Sequence, residues 1–202
     1  MSLLFKVSLT KLFIYISLEE LILITKKMKK KLVILDLNGI LAEFVDKPPK
    51  NYKPHLQIRG KSVFKRPFCD DFLKFCFANF QVAVWSSRIN GMDQLVDLLF
   101  GDMKHQLVFC WDQSRCTEPG LTIGQLGIKT NEKKQKSLFL KELKKVWITC
   151  DANFPWKNGD YNESNTLLLD DSPYKAMFNP PNTAVFPTSY TFQTENDNSL
   201  GK

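Results

Sequence analysis

The sequence predicts an α/β fold with a parallel, Rossmann-like sheet that carries helices on both faces. Short apolar runs alternate along the chain with segments of helical period, and this alternation is typical of parallel sheets. Three of the apolar runs end in polar residues, namely Asp36, Ser86 and Asp170. Because ligands bind at the carboxyl ends of the strands in open α/β sheets, these positions predict the functional site.

The first half of the chain predicts three strands and two helices. The apolar run Leu32–Leu35 follows a charged flank, which is the pattern of a strand buried on both faces. Pro67 suits the first turn of a helix, where its missing N–H would have no partner. The remaining elements are a short strand at Ser62–Arg66, a helix at Phe68–Ala78, a strand at Phe80–Trp85 and a helix at Asn90–Phe100.

The second half predicts a further alternation of strands and helices. Leu138, Leu140 and Leu143 lie among lysines and predict an amphipathic helix at Lys134–Val146. The segment 112–127 is loop-like because it contains a Pro-Gly pair. The other elements are a strand at Gln106–Trp111, a strand at Thr166–Leu169, a short helix from Tyr174 and a short strand at Thr183–Phe186.

The length of 202 residues indicates a single domain with a substantial core. We expect a poorly ordered or targeting-like leader at 1–28, a globular domain at 29–187 and a polar, fraying tail at 188–202. The apolar stretch Leu3–Ile24 is not expected to span a membrane, since a membrane helix needs about 20 mostly uncharged residues. Four charged residues interrupt it, namely Lys6, Lys11, Glu19 and Glu20.

The charge and the cysteines set limits on partners and compartment. A net charge of +7 suits a phosphorylated or polyanionic partner, although a solvated lysine-rich surface is the favoured explanation. The five cysteines form no CxxC pair, which indicates reduced thiols in a cytosolic, nuclear or mitochondrial-matrix compartment. The basic run Lys26–Lys31 is interpreted as a solvated lead-in, with a nuclear signal as the alternative.

Five polar residues carry the candidate chemistry, and most of them have a simpler structural explanation. The Asp36 carboxylate can attack phosphorus from the end of its strand. Ser86 can donate to a phosphoryl oxygen or act as a turn residue, and Lys141 can balance charge or be one more solvated lysine. Asp170 and Asp171 are adjacent acids at the end of a buried strand, which is costly without a cation. Their oxygens suit Mg²⁺, although one acid alone can cap the next helix.

The order of these positions along the chain is more specific than any one of them. Asp-Leu-Asn-Gly, Trp-Ser-Ser-Arg, Lys141 and Leu-Leu-Leu-Asp-Asp-Ser-Pro resemble the four ordered motifs of the haloacid dehalogenase superfamily. The set is most similar to the NLI-interacting-factor-like phosphatases, which include the small phosphatases of the RNA polymerase II C-terminal domain. Within this family, the motifs are most similar to those of plant or protist members. The resemblance covers about Lys30 to Pro187 and implies a phosphatase-like domain whose last strand and helix are truncated.

The resemblance implies a role for each position. Asp36 matches the nucleophile that forms an aspartyl phosphate, and Asn38 stands at the place of the general acid/base. Ser86, with Ser87 beside it, matches the phosphate-binding hydroxyl, and Lys141 matches the charge-balancing lysine that also binds phosphate. The implied ligands of a Mg²⁺ cofactor are Asp36, Asp170, Asp171 and the backbone carbonyl of Asn38.

Asn38 departs from the family pattern, which has an aspartate at this position. An amide cannot transfer the proton that the leaving group or the attacking water requires, and such transfer contributes about 10²–10⁴-fold in rate. We therefore expect weak activity, greater on aryl phosphates than on phosphoserine peptides.

Three functions follow from the sequence. The first is a Mg²⁺-dependent phosphatase of phosphoserine or phosphothreonine in proteins, with the RNA polymerase II tail as one candidate, in the nucleus or cytoplasm. The second is a non-catalytic binding module, as in the mitochondrial inner-membrane import translocase subunit that carries this domain; the net charge of +7 disfavours a receptor for basic presequences. The third is a small-molecule phosphatase, which the absence of a large cap insertion between Asn38 and Ser86 disfavours. No direct nucleic-acid partner is expected.

Overall fold

The computed structural model describes residues 5–9, 12–16, 31–88, 90–127, 135–148 and 153–201. Near the amino terminus, β1 (Phe5–Leu9) pairs with β2 (Leu12–Ile16) as an antiparallel hairpin. The rest of the predicted leader lies outside the described residues. No helix in the described part of the chain is long and apolar enough to cross a bilayer.

The remaining strands form one parallel and one antiparallel sheet. In chain order they are β3 (Leu32–Leu35), β4 (Ala42–Val45), β5 (Leu56–Ile58), β6 (Lys61–Lys65), β7 (Gln81–Trp85), β8 (Cys110–Trp111), β9 (Thr166–Leu169) and β10 (Ala184–Val185). The central sheet has the order β10-β9-β3-β7-β8, and every neighbouring pair is parallel. The predicted fold class is therefore confirmed.

The antiparallel sheet has the order β4-β6-β5 and lies, in chain order, between β3 and the helix Cys69–Asn79. Within the described residues, this small sheet is therefore the only sheet between β3 and that helix, and no large cap domain is inserted there. The sequence predicted β6 but missed β4 and β5.

Among the described residues the helices are α1 (Cys69–Asn79), α2 (Met92–Phe100) and the single turn α3 (Lys144–Trp147). Short 3-10 turns lie at Gly101–Gln106, Gln113–Arg115 and Pro173–Ala176. Asp70 and Asp71 in the first turn of α1 are stabilised by the positive end of the helix dipole.

The core lies on both faces of the parallel sheet, because successive side chains of a strand point to opposite faces. Val33 and Leu35 of β3 pack with residues of α1 and α2, namely Leu73, Cys76, Leu95 and Leu99. Leu32 and Ile34 pack on the opposite face with Leu143, Val146 and Trp156. Both faces are therefore covered, as buried parallel sheets require.

The amphipathic helix predicted at Lys134–Val146 is wrong. Within 135–148 the helix is confined to Lys144–Trp147, while Ser137 and Leu140 form isolated bridges with Thr122 and Thr117. Leu138 and Leu140 are both buried, which is the period of an extended chain rather than of a helix. Lys134 itself lies outside the described residues.

The predicted strand at Gln106–Trp111 is also too long, since Gln106 ends a 3-10 turn and β8 contains only Cys110 and Trp111.

The expected fraying after residue 188 is wrong as well. Tyr190 and Asp197 are buried, and the Asp197 carboxylate pairs with the buried Arg66 guanidinium at 3.0 Å. The Arg66 side chain also donates to the carbonyl of Ile40 at 3.2 Å. The polar end of the chain is thus held against the loop that follows β3.

Candidate active site

The register of the central sheet brings three of the predicted site residues to one edge. Leu35 of β3 pairs with Val84 of β7 and with Leu169 of β9. The residues that follow these strands therefore emerge side by side. The Asp36 N–H donates to the carbonyl of Leu169 at 2.9 Å, so the backbone of Asp36 lies directly beside that of Asp170.

Asp36 and Asp170 form a closed ring of ion pairs with two lysines. Lys141 Nζ lies 3.2 Å from Asp36 Oδ1 and 2.5 Å from Asp170 Oδ2. Lys175 Nζ lies 2.9 Å from Asp36 Oδ2 and 2.9 Å from Asp170 Oδ1. Each carboxylate oxygen therefore faces one ammonium group. All four residues are at most 5% exposed, so screening by solvent is weak.

The charges of this ring shift the pKa values of its members. Burial opposes ionisation of Asp36, but the Lys141 and Lys175 charges, together with hydrogen bonds from Lys175 and from the Leu37 N–H, hold the pKa of its carboxyl well below the usual range. Burial and the neighbouring Asp36 charge raise the pKa of Asp170 to about 6, against the pull of the two lysines. Burial lowers the pKa of Lys175, but the acids around it outweigh that effect and raise it well above the usual value. Asp36 is therefore ionised, as a nucleophile must be.

Lys141 reaches the ring from an extended segment and not from a helix. Its N–H donates to the carbonyl of Lys175 at 2.7 Å, and its carbonyl accepts from Asn179 Nδ2 at 2.9 Å. These bonds fix the backbone of Lys141 against the segment that follows β9. The two lysines of the ring are thus positioned relative to one another by the main chain.

Asp171 lies at the partly exposed side of the ring, with its carboxylate oriented by two hydroxyl groups. Ser172 Oγ donates to Oδ1 at 2.9 Å and Ser189 Oγ donates to Oδ2 at 2.7 Å. Gly39 has φ of +84°, and a Cβ at this position would lie 2.0 Å from Asp171 Oδ2. Glycine is therefore required here both for the backbone conformation and for the close approach of Asp171.

Three of the acids converge as a candidate metal site. Asp36, Asp170 and Asp171 each offer an oxygen atom, and these atoms lie within 4.8 Å of one another. Hard carboxylate oxygens are the ligands that Mg²⁺ prefers.

A polar cavity of about 380 Å³ adjoins the ring. It brings together five of the residues singled out in the sequence, namely Asp36, Asn38, Ser86, Ser87 and Asp171. Three cationic side chains also line it, those of Arg88, Lys136 and Lys175. Lys141 and Asp170 lie behind this wall and are fully buried. The cavity therefore suits an anion that approaches Asp36.

The side chains on the cavity wall are held by local contacts. Ser86 Oγ accepts from the Arg88 N–H at 3.2 Å, which leaves its hydroxyl hydrogen able to donate to a bound anion. Asn38 Oδ1 accepts from the Phe44 N–H at 3.3 Å. The Arg88 guanidinium lies 3.8 Å from the centre of the Phe44 ring, where a cation–π contact restrains it.

Lys175 is the member of the site that the sequence analysis missed. It follows the motif Leu-Leu-Leu-Asp-Asp-Ser-Pro and lies in the short helix predicted from Tyr174, but the sequence analysis assigns it no role. One signal is present in the sequence, since Lys175 stands between the hydrophobic residues Tyr174 and Ala176, and the structure buries both of these neighbours. A lysine inside a buried turn requires acidic partners.

Comparison with known proteins confirms the family predicted from the sequence. Residues 31–202 match the family model described as NLI interacting factor-like phosphatase. The chain is 31% identical over 158 residues to an uncharacterized FCP1 homology domain-containing protein of Schizosaccharomyces pombe. This match covers 76% of the chain and 59% of the relative, so the chain spans only part of the relative's length.

Two solved structures are similar in fold. One is the fission yeast RNA polymerase II CTD phosphatase Fcp1 bound to beryllium fluoride, with a TM-score of 0.51 and 12% identity over 86% of this chain and 45% of that chain. The other is Fcp1, described as an essential RNA polymerase II CTD phosphatase, with a TM-score of 0.51 and 12% identity over 86% and 46%. At this identity the likeness concerns the fold alone.

Proposed function

The chain belongs to the NLI interacting factor-like phosphatase family, and on this premise we propose that it is a Mg²⁺-dependent phosphatase of phosphoserine or phosphothreonine in proteins. The observation that carries the proposal is the ionised Asp36 carboxylate at the wall of a cavity lined by hydroxyl groups and cations. A carboxylate in such a cavity can attack a phosphoryl group that the surrounding donors hold.

In the proposed reaction, an Asp36 oxygen forms a bond to phosphorus while the bond from phosphorus to the leaving oxygen breaks. The product on the enzyme is an aspartyl phosphate, which water then hydrolyses to regenerate the carboxylate and release phosphate. Ser86, assisted by Ser87, donates to the phosphoryl oxygens. Lys141 remains buried between Asp36 and Asp170 and limits the repulsion between the two carboxylates.

The donor set supports Mg²⁺ as the cofactor. Asp36, Asp170 and Asp171 would hold the ion, because the oxygen atoms that they offer lie within 4.8 Å of one another. The Asn38 carbonyl would be a further ligand, as the family resemblance implies. When bound, the ion would neutralise negative charge between the nucleophile and the phosphate.

Asn38 lowers the expected rate. Its amide lines the cavity beside Asp36 but carries no proton that it can give to a leaving alkoxide. An aryl phosphate has a better leaving group and needs less assistance, so it is the substrate on which activity is expected first.

The form of the site supports a macromolecular substrate. The cavity is polar, and the described chain between Asn38 and the start of α1 adds only the small β4-β6-β5 sheet, so a phosphorylated segment of another protein can reach Asp36. The RNA polymerase II tail is one candidate, since a structural relative is described as a phosphatase of that tail. Such substrates would place the protein in the nucleus or cytoplasm.

A non-catalytic binding module is the second candidate function. Two observations favour it: the amide of Asn38 at the acid/base position, and the engagement of both Asp36 oxygens by lysines. Such a module would bind phosphorylated protein without turning it over.

An assay of aryl phosphate hydrolysis, with Mg²⁺ and with EDTA, separates the two candidates. We expect slow, Mg²⁺-dependent release of phosphate that Asp36→Asn abolishes. Asp102→Asn is the matched control, because this exposed aspartate lies in the 3-10 turn at Gly101–Gln106. Folded wild type without Mg²⁺-dependent hydrolysis would favour the binding module, and hydrolysis that survives Asp36→Asn would refute the assignment of the nucleophile.

A further inference from the structure

The Lys175 ammonium group stands where the three converging carboxylates would meet a divalent cation. Its Nζ lies 2.9 Å from Asp36 Oδ2, 2.9 Å from Asp170 Oδ1 and 3.7 Å from Asp171 Oδ1. These are the same three residues that form the candidate metal site. One side chain of the protein therefore already supplies a positive charge to all of them.

Lys141 and Lys175 occupy opposite sides of the ring. Lys141 is fully buried and contacts Asp36 Oδ1 and Asp170 Oδ2. Lys175 contacts the other oxygen of each carboxylate and lines the cavity. An ion that enters from the cavity therefore meets Lys175 first, and Lys141 does not obstruct it.

Mg²⁺ and the ammonium group compete for the same oxygens. Mg²⁺ binds carboxylate oxygens at about 2.0–2.1 Å, so an ion on the cavity side of Asp36 and Asp170 would fall within the space that Lys175 Nζ now fills. Two cations at such a separation also repel each other strongly in a buried site. The ion and the ammonium group cannot share these contacts.

The neighbouring space allows Lys175 to move aside. Its backbone belongs to the 3-10 turn Pro173–Ala176, and its side chain has four rotatable bonds beside a cavity of about 380 Å³. Rotation of the side chain into this cavity would release both oxygens without any change in the main chain.

We propose that Lys175 is a resident counter-ion that competes with Mg²⁺, so that metal binds only when the Lys175 ammonium leaves the acidic cluster. The proposal rests on the Mg²⁺ site of the proposed function. It assigns to Lys175 a regulatory role, which is to keep the metal affinity low. Lys175 thereby acts on the metal and not on the substrate.

Calorimetric titration of the protein with Mg²⁺ alone, without any substrate, tests the proposal. We compare wild type with Lys175→Met, with Lys175→Gln and with Lys144→Met, which removes the same charge from an exposed position. Loss of a hydrogen-bonded charged competitor is expected to raise the Mg²⁺ affinity about tenfold to a hundredfold. The affinity of Lys144→Met should stay within about threefold of that of wild type.

The outcome separates this inference from the proposed function, because the titration does not depend on turnover. Tighter Mg²⁺ binding by Lys175→Met, together with a folded wild type that hydrolyses no aryl phosphate, would support the inference and refute catalysis. Equal or weaker binding by the two Lys175 variants, or no binding by any of the proteins, would overturn the inference.

A second measurement on the wild type covers the case in which the variants do not fold. Reductive methylation, followed by peptide mass spectrometry, reports how accessible each lysine is. Mg²⁺ should accelerate the labelling of Lys175 severalfold and leave the buried Lys141 protected. Labelling of Lys175 that Mg²⁺ does not change would overturn the proposal.

Discussion

Replacing Lys141 by methionine should destabilise the fold strongly, because Lys141 is fully buried between two carboxylates. Methionine is of similar length but leaves Asp36 and Asp170 with Lys175 as their remaining partner in the ring. Breaking a buried ion pair by removing one partner costs about 3–5 kcal/mol. For a chain of this length, each kcal/mol lowers the melting temperature by about 2–4 °C, so the expected loss is about 6–20 °C.

Urea unfolding, followed by tryptophan fluorescence, measures the loss in the free energy of unfolding, since Trp85, Trp111 and Trp156 are buried. The control is Lys144→Met, whose exposed side chain should change the free energy of unfolding by less than about 0.5 kcal/mol. Combining Lys141→Met with Asp170→Asn removes the uncompensated charge, so the double variant should lose less than the sum of the two single losses. Strictly additive losses, or a loss under about 1 kcal/mol for Lys141→Met, would refute the reasoning.

Three further predictions concern other parts of the site and its support. Asn38→Asp should raise kcat by up to about 10²–10⁴-fold, more on phosphoserine peptide than on aryl phosphate. Equal rates for wild type and Asn38→Asp on both substrates would contradict the role given to this position. Gly39→Ala should weaken Mg²⁺ binding, because its Cβ would lie 2.0 Å from Asp171 Oδ2. The control is Gly120→Ala, which has a similar φ of +73° but open space around it. This control should cost only about 1–2 kcal/mol of backbone strain. Burial alone would raise the pKa of Asp197, but its hydrogen bonds and its arginine partner outweigh burial and lower it. The ionised Asp197 therefore stabilises the folded protein above the unfolded pKa of about 3.9. This contribution to the free energy of unfolding is lost as the pH falls through the lower folded pKa. Asp197→Asn should be less stable at pH 7 and show a flatter acid limb in urea unfolding, and an unchanged acid limb would count against the ion pair.

The site residues that the sequence located well are those that directly follow strands. Asp36 and Asp170 come after apolar runs whose local pattern is sufficient to predict a buried parallel strand. Their meeting then follows from the topology of an open α/β sheet, and the structure places them side by side. Ser86 is located by the same reasoning.

The sequence analysis failed where long-range contacts decide the local structure. The leucines around Lys141 fit a helical face and an extended strand about equally well, and bridges to Thr117 and Thr122 select the extended form. The polar composition after residue 188 indicated a loose end, yet Arg66 holds Asp197 in a buried ion pair across the domain. Composition reports average solvation and cannot report a specific buried partner.

The sequence by itself determined the fold class and the family, and it predicted the three acids of the candidate site, because these depend on hydrophobic period and on the order of motifs along the chain. Only the tertiary structure decided that Lys175 closes the ring of charges and that Gly39 admits Asp171. Both results depend on distances between segments far apart in the chain, such as the 2.9 Å between Lys175 Nζ and Asp36 Oδ2. Such distances are set by the packing of the whole core, and no local pattern of residues encodes them.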